Sequence, residues 1–126
     1  MITEFPPNTL IIYEKKYCCQ KKFICDDIEL ILKIKPINYI NTGTVKIVNN
    51  NIIYEVKKNI ICEIYFSCSK KGIIKIMLNE NEINTIDNYT ISKIVKIDKH
   101  FVIDNLYNIK IIYNDKYHTE ITVKPI

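Results

Sequence analysis

Ile28-Glu29-Leu30-Ile31-Leu32-Lys33-Ile34-Lys35 sets apolar residues at 28, 30, 32 and 34, against Glu29, Ile31, Lys33 and Lys35 in between. Successive side chains of an extended chain point to opposite faces, so a period of two predicts a strand with one buried and one wet face. The rhythm returns in Ile60, Cys62, Ile64, Phe66 and Cys68, in Ile91, Val95 and Ile97, and in Tyr107, Ile109, Ile111 and Tyr113. Further along, Tyr117, Ile121 and Val123 oppose His118, Glu120 and Lys124. Turn-forming clusters separate these runs: Asn41-Thr42-Gly43, Asn49-Asn50-Asn51, Ser69 to Gly72, Asn79 to Glu82, Asp87-Asn88, Asp98-Lys99, Asp104-Asn105 and Asn114-Asp115-Lys116. Short strands at turn spacing predict an all-β chain, a single antiparallel β-sandwich or jelly roll over residues 28–126. The polar stretch Asn79 to Asn88 is the only modest helix candidate.

The chain has 126 residues, enough for one domain of about 15 kDa. It carries 29 Ile, 18 Lys and 14 Asn but no Ala, Arg or Trp, the bias of an AT-rich genome. Without guanidinium groups there is no bidentate phosphate clamp and no arginine-to-guanine readout. With β-branched Ile dominant and Ala absent, long surface helices are disfavoured. Only two glycines are present, so tight turns fall to Asn and Asp, which tolerate left-handed backbone.

The net charge of +4 comes from lysines scattered as pairs, Lys15-Lys16, Lys21-Lys22, Lys57-Lys58 and Lys70-Lys71. They read as solvated strand ends, and no lysine run interleaves with stacking aromatics, so neither a nucleic-acid partner nor membrane insertion is expected. Every apolar run is broken well short of the ~18 residues of a membrane helix. Met1 to Pro7 carries Glu4 and Pro6-Pro7 where a signal peptide needs a basic and then an apolar stretch.

Residues 1–27 differ from the rest of the chain. Two prolines precede a short β-like run, Thr9, Leu10, Ile11, Ile12 and Tyr13, and charges then crowd around Cys18, Cys19 and Cys25. Two readings stand: an extended N-terminal arm that adds its strand to a neighbouring subunit, or a first strand on the domain's own sheet. Five cysteines are an odd number, so at least one has no partner within the chain. Cys18 and Cys19 point to opposite sides of an extended segment and would need a strained ring to bridge each other. Cys62 and Cys68 share a strand face about 20 Å apart. Small buried hydrophobes or intersubunit disulfides account for these five residues.

No catalytic or cofactor signature emerges. No C-x-x-C occurs, and His100 and His118 have 17 residues between them, so no zinc pattern or metal site is expected. His118 lies on a polar strand face, His100 follows a turn, and Glu80 with Glu82 lies in a loop-like stretch, so an enzyme is not expected. Gly43 and Gly72 are isolated and form no phosphate loop. Asn88-Tyr89-Thr90 is a glycosylation sequon by pattern alone.

The segment Asp27 to Ile34, then Asn41-Thr42-Gly43-Thr44-Val45-Lys46-Ile47-Val48, Asn51 to Val56 and Ile60 to Phe66 resembles the SPOCS-type domain, a β-rich family of spore coat and spore-associated proteins of AT-rich clostridia. Lys57-Lys58-Asn59 stands where that family has a glycine turn. Tyr17-Cys18-Cys19 followed by Cys25 is similar to the N-terminal connectors of endospore appendage subunits, β-sandwich proteins whose connector cysteines bond to preceding subunits. The resemblance implies that Cys18 and Cys19 are the connector pair and Cys25 the third cysteine, at a shorter spacing than that family's.

These observations lead to an expected self-assembling structural subunit of a spore-surface fibre, appendage or coat layer. Copies of the chain are its partners, the Thr9 to Tyr13 arm strand joins them, and disulfides lock them. The competing expectation is a viral β-sandwich from an AT-rich genome, poxvirus-like, that binds a host protein.

Overall fold

The computed structural model describes residues 9–15, 18–37, 43–49, 51–86 and 95–126. The described residues form eleven strands in two sheets and include no helix. Sheet A contains β1 (Thr9–Lys15), β2 (Cys18–Cys25), β3 (Ile28–Pro36), β6 (Ile60–Cys68) and β9 (Val95–Ile103), in the spatial order β1-β2-β3-β6-β9. Sheet B contains β4 (Thr44–Val48), β5 (Asn51–Val56), β7 (Ile74–Leu78), β8 (Asn81–Ile86), β10 (Tyr107–Tyr113) and β11 (Tyr117–Pro125), ordered β4-β5-β11-β10-β7-β8. Among the described strands every pair is antiparallel except β5 with β11. The two antiparallel-rich sheets fit the expected all-β sandwich.

The burial pattern follows from the alternation. Along β3 the even positions are buried and the odd ones half-buried, and β6 buries Cys62, Ile64, Phe66 and Cys68. β10 contributes Ile109 and Ile111, and β11 contributes Ile121 and Val123, so one apolar core lies between the sheets. Pairing secures the main chain, and burial of the inner faces drives the sheets together.

The turns bear out the need for Asn and Asp. Asp26, Asp27, Asn49, Asn59, Asn79, Glu80, Asn114 and Asp115 all have φ between 50° and 71°, and no glycine has a positive φ. Both glycines instead give room to a tyrosine. A β-carbon at Gly43 would collide with the Tyr54 ring, and one at Gly72 with the Tyr113 ring.

Two expectations give way here. Asn79 to Asn88 holds a turn at Asn79-Glu80 and then strand β8 up to Ile86, because the left-handed pair at 79 and 80 reverses the chain and closes a hairpin with β7. Asp98-Lys99 lies within β9, at the register shift between that strand and β6 rather than at a turn between strands. Within the single chain Cys18–Cys25 forms the second strand of sheet A. Asp87-Asn88, the sequon at 88–90, Ile91 and Tyr17 lie outside the described residues.

Candidate assembly interface

Thr9, Leu10, Ile11, Ile12 and Tyr13 pair with Ile24, Phe23, Lys22, Lys21 and Gln20 of β2, and the ladder runs on to Lys15 opposite Cys18. Among the described strands β1 has β2 as its one neighbour, so β1 forms an edge of sheet A. Its other backbone rim therefore presents the alternating N–H and C=O groups that can template a further strand. The strand of the expected arm thus exists, and in the single chain it pairs with the chain's own β2.

β2 joins that edge to the core. Cys19, Phe23 and Cys25 are buried, in register with Ile34, Leu30 and Ile28 of β3. The fourth inward position of this alternating set is Lys21, and that cation hid the strand's rhythm from a hydrophobicity reading. Over residues 18–27 the charge divides between one buried lysine, an outer face on which Lys22 Nζ lies 3.3 Å from Glu29, and the exposed Asp26-Asp27 turn.

All five cysteines are buried and held as thiols, with no disulfide among them. Their placement follows from the register. Cys19 lies opposite Ile34, and Ile34 opposite Ile64, so Cys19 and Cys62 are two strand spacings apart. Cys25 lies opposite Ile28, and Cys68 opposite Leu30, two residues further along β3, so these two lie farther apart still. Two spacings are about 9.5 Å, beyond the ~7 Å between Cα atoms that a disulfide tolerates. Cys62 is driven up to about 12 by burial, and burial also raises Cys68, so both stay protonated and inert at neutral pH. Cys62 and Cys68 are the small core residues of the alternative reading. Cys18, Cys19 and Cys25 can reach another chain's thiol only after β2 moves.

Lys21 sits between the sheets, 4% exposed, and its Nζ donates to the carbonyl oxygen of Glu120 on β11 at 2.8 Å. Desolvation lowers its pKa, opposed by the nearby charge of Glu120 and by Cys19. Beside Glu120, the Thr119 hydroxyl is buried without a hydrogen-bond partner. Buried polar groups left partly satisfied weaken the contact they occupy. β2 leads into β3 through Asp26-Asp27, two residues with φ of 51° and 65°. The Tyr117 hydroxyl donates to Asp26 Oδ2 at 2.7 Å and pins that turn to the start of β11.

The outer face of sheet A carries a cluster that no linear motif announces. Register sets Lys35, Glu63 and His100 in one row across three strands, and Lys33, Tyr65 and Lys96 in the next. Glu63, 12% exposed, lies 2.7 Å from Lys96 Nζ and 3.5 Å from His100 Nε2, and accepts from the Tyr65 hydroxyl at 3.1 Å. The Lys96 hydrogen bond is the main reason its carboxyl is held below the usual range. Lys33 Nζ stands 5.2 Å from the Tyr65 ring centre. A carboxylate so compensated is a weak base, and the arrangement acts as an electrostatic brace across β3, β6 and β9. His118 is exposed, as are Glu80 and Glu82 in and beside the β7–β8 turn. Among the described residues no group of three or more His, Cys, Asp or Glu converges to hold a metal ion. No family model, no curated protein and no solved structure matches the chain.

Proposed function

We propose that the chain is a structural subunit that assembles with copies of itself through the N-terminal strands of sheet A, in a spore-surface fibre, appendage or coat layer. The observation that carries this reading is β1, a seven-residue edge strand whose hydrogen bonds to β2 are main-chain bonds that the same strand of another copy can make equally well. In the assembled state residues 1–27 serve as the connecting arm, and head-to-tail contacts of this kind extend into filaments. Disulfides enter as a second step, since Cys18, Cys19 and Cys25 are shielded while β2 is docked.

The test is size against concentration. Light scattering coupled to gel filtration, with negative-stain microscopy of the concentrated chain, should find dimers and longer species that grow with concentration. A monomer at every concentration, with empty grids, overturns the reading. A ladder on a gel run without reductant reports the covalent step separately.

A further inference from the structure

We infer that the unit passed between copies is the whole β1–β2 hairpin, hinged at Asp26-Asp27, so that two copies exchange hairpins and each docks the other's β2 against its own β3. The inference rests on the assembly reading above and specifies its mechanism.

Three features of the fold converge on this hairpin. The first is position: β1 and β2 are the last two strands at one end of sheet A, so they can leave together without unthreading any other strand. The second is the hinge. A two-residue connection forces Asp26 and Asp27 both into left-handed backbone, which residues with a β-carbon adopt at a cost and which asparagine followed by glycine adopts most readily. Both residues are exposed. Opening the hinge lets residues 18–36 run as one extended segment and removes the strain. Short, strained connections are the setting in which strand exchange arises. The third is Lys21, a buried ammonium at the contact between β2 and β11, beside the Thr119 hydroxyl that lacks a partner.

The hinge and Lys21 act on different quantities. Docked β2 makes the same contacts whether it belongs to its own chain or to another, so Lys21 is buried equally in the closed and the exchanged forms. It regains water only while the hairpin is loose, so it eases opening and sets the rate. The Asp26-Asp27 turn exists only in the closed form, so it sets the equilibrium ratio. Tyr117 opposes exchange by holding Asp26. Reciprocal exchange closes a dimer, and unreciprocated exchange leaves an unfilled β3 edge at one end and a loose hairpin at the other, which propagates.

The experiment compares three full-length chains by gel filtration with light scattering, after incubation at high concentration and return to low. D26N/D27G places the favoured Asn-Gly turn at the hinge, and the ratio of exchanged species to monomer should fall about tenfold or more. A chain with two glycines inserted between Asp26 and Asp27 should show a fall in the same direction, which guards against a folding defect peculiar to the first variant. Lys21→Met should leave the ratio close to that of the natural chain and slow the return to monomer after dilution. Hinge variants that assemble as the natural chain does overturn the exchange and leave assembly through the β1 edge standing. Loss of all assembly in the natural chain overturns both. A Lys21→Met chain with unchanged kinetics removes Lys21 from the mechanism.

Discussion

Lys21 Nζ donates to the Glu120 carbonyl oxygen at 2.8 Å, and this bond joins the second strand of one sheet to a central strand of the other through an ammonium that is 4% exposed. One hydrogen bond to a neutral carbonyl does not offset the loss of an ammonium's hydration. Lys21→Met, which keeps the length and removes the charge, should therefore stabilise the chain by about 1–3 kcal/mol at pH 7. The gain must depend on pH. Burial lowers the Lys21 pKa, so the unfolded chain holds a proton that the folded chain sheds more readily. Stability of the natural chain therefore rises with pH from that lowered value up to the ordinary 10.5, and is lost as pH falls through it. Urea midpoints of the two chains should converge as pH rises towards 10.5. A Lys21→Met chain less stable than the natural one would show that the Glu120 bond outweighs desolvation.

Cys62 acts with the opposite sign. Its thiol is pushed from 9.0 to about 12 by burial. The folded chain keeps a proton that the unfolded chain releases, so the stabilisation is complete below pH 9 and is lost as pH rises towards 12. Cys62→Val removes the titration and keeps an apolar side chain. Its denaturant midpoint should fall less steeply than that of the natural chain above pH 9, with the two slopes alike below it. Parallel alkaline curves would exclude Cys62 as a source of the loss.

The two glycines are fixed by neighbouring rings. Neither Gly43 nor Gly72 has a positive φ, so alanine is excluded by space alone. At Gly72 the obstructing Tyr113 ring cannot yield easily, because its hydroxyl donates to the Lys71 carbonyl at 2.6 Å and the side chain is buried. Gly72→Ala should cost about 1–3 kcal/mol, in the range of an overpacked core. Gly43→Ala faces Tyr54 and should cost a similar amount. Tyr113→Phe in the Gly72→Ala background should recover part of the loss by freeing the ring to shift, as thermal unfolding of the double variant would reveal.

The residues that alternate cleanly were readable in advance. β3, β6, β10 and β11 follow the period-two rule because their inner positions are all apolar or nearly so, and the Asn and Asp turns stand where a chain with two glycines must put them. β2 was illegible because Lys21 occupies an inward position and Cys18 is buried out of phase. One-dimensional pattern cannot distinguish a buried lysine from a solvated one, since the distinction lies in what β11 presents. The Glu63 cluster was hidden for a related reason. Its members come from β3, β6 and β9, and only register sets Lys33 beside Tyr65 and Tyr65 beside Lys96. The sequence does hold the Asp26-Asp27 pair between two runs, and a two-residue connection rich in Asp is a hairpin signal in its own right.

Tyr117 gives the sharpest single-atom probe of that hairpin. Its hydroxyl donates to Asp26 Oδ2 at 2.7 Å across 91 residues of sequence, while its ring packs 6.4 Å from that of Tyr113. The bond exists only while the β2–β3 turn is closed, and it is exposed, so its contribution is small. Tyr117→Phe keeps the ring contact and removes the bond. It should lower the melting temperature by a few degrees at most and raise the exchanged-to-monomer ratio about two- to fivefold. The double variant with D26N/D27G isolates the coupling: once the hinge is relaxed, loss of the Tyr117 hydroxyl should shift stability slightly and leave the chain monomeric. If Tyr117→Phe raises the oligomer fraction as much in that background as alone, Tyr117 acts through something other than the hinge, and the hairpin is not the element that moves.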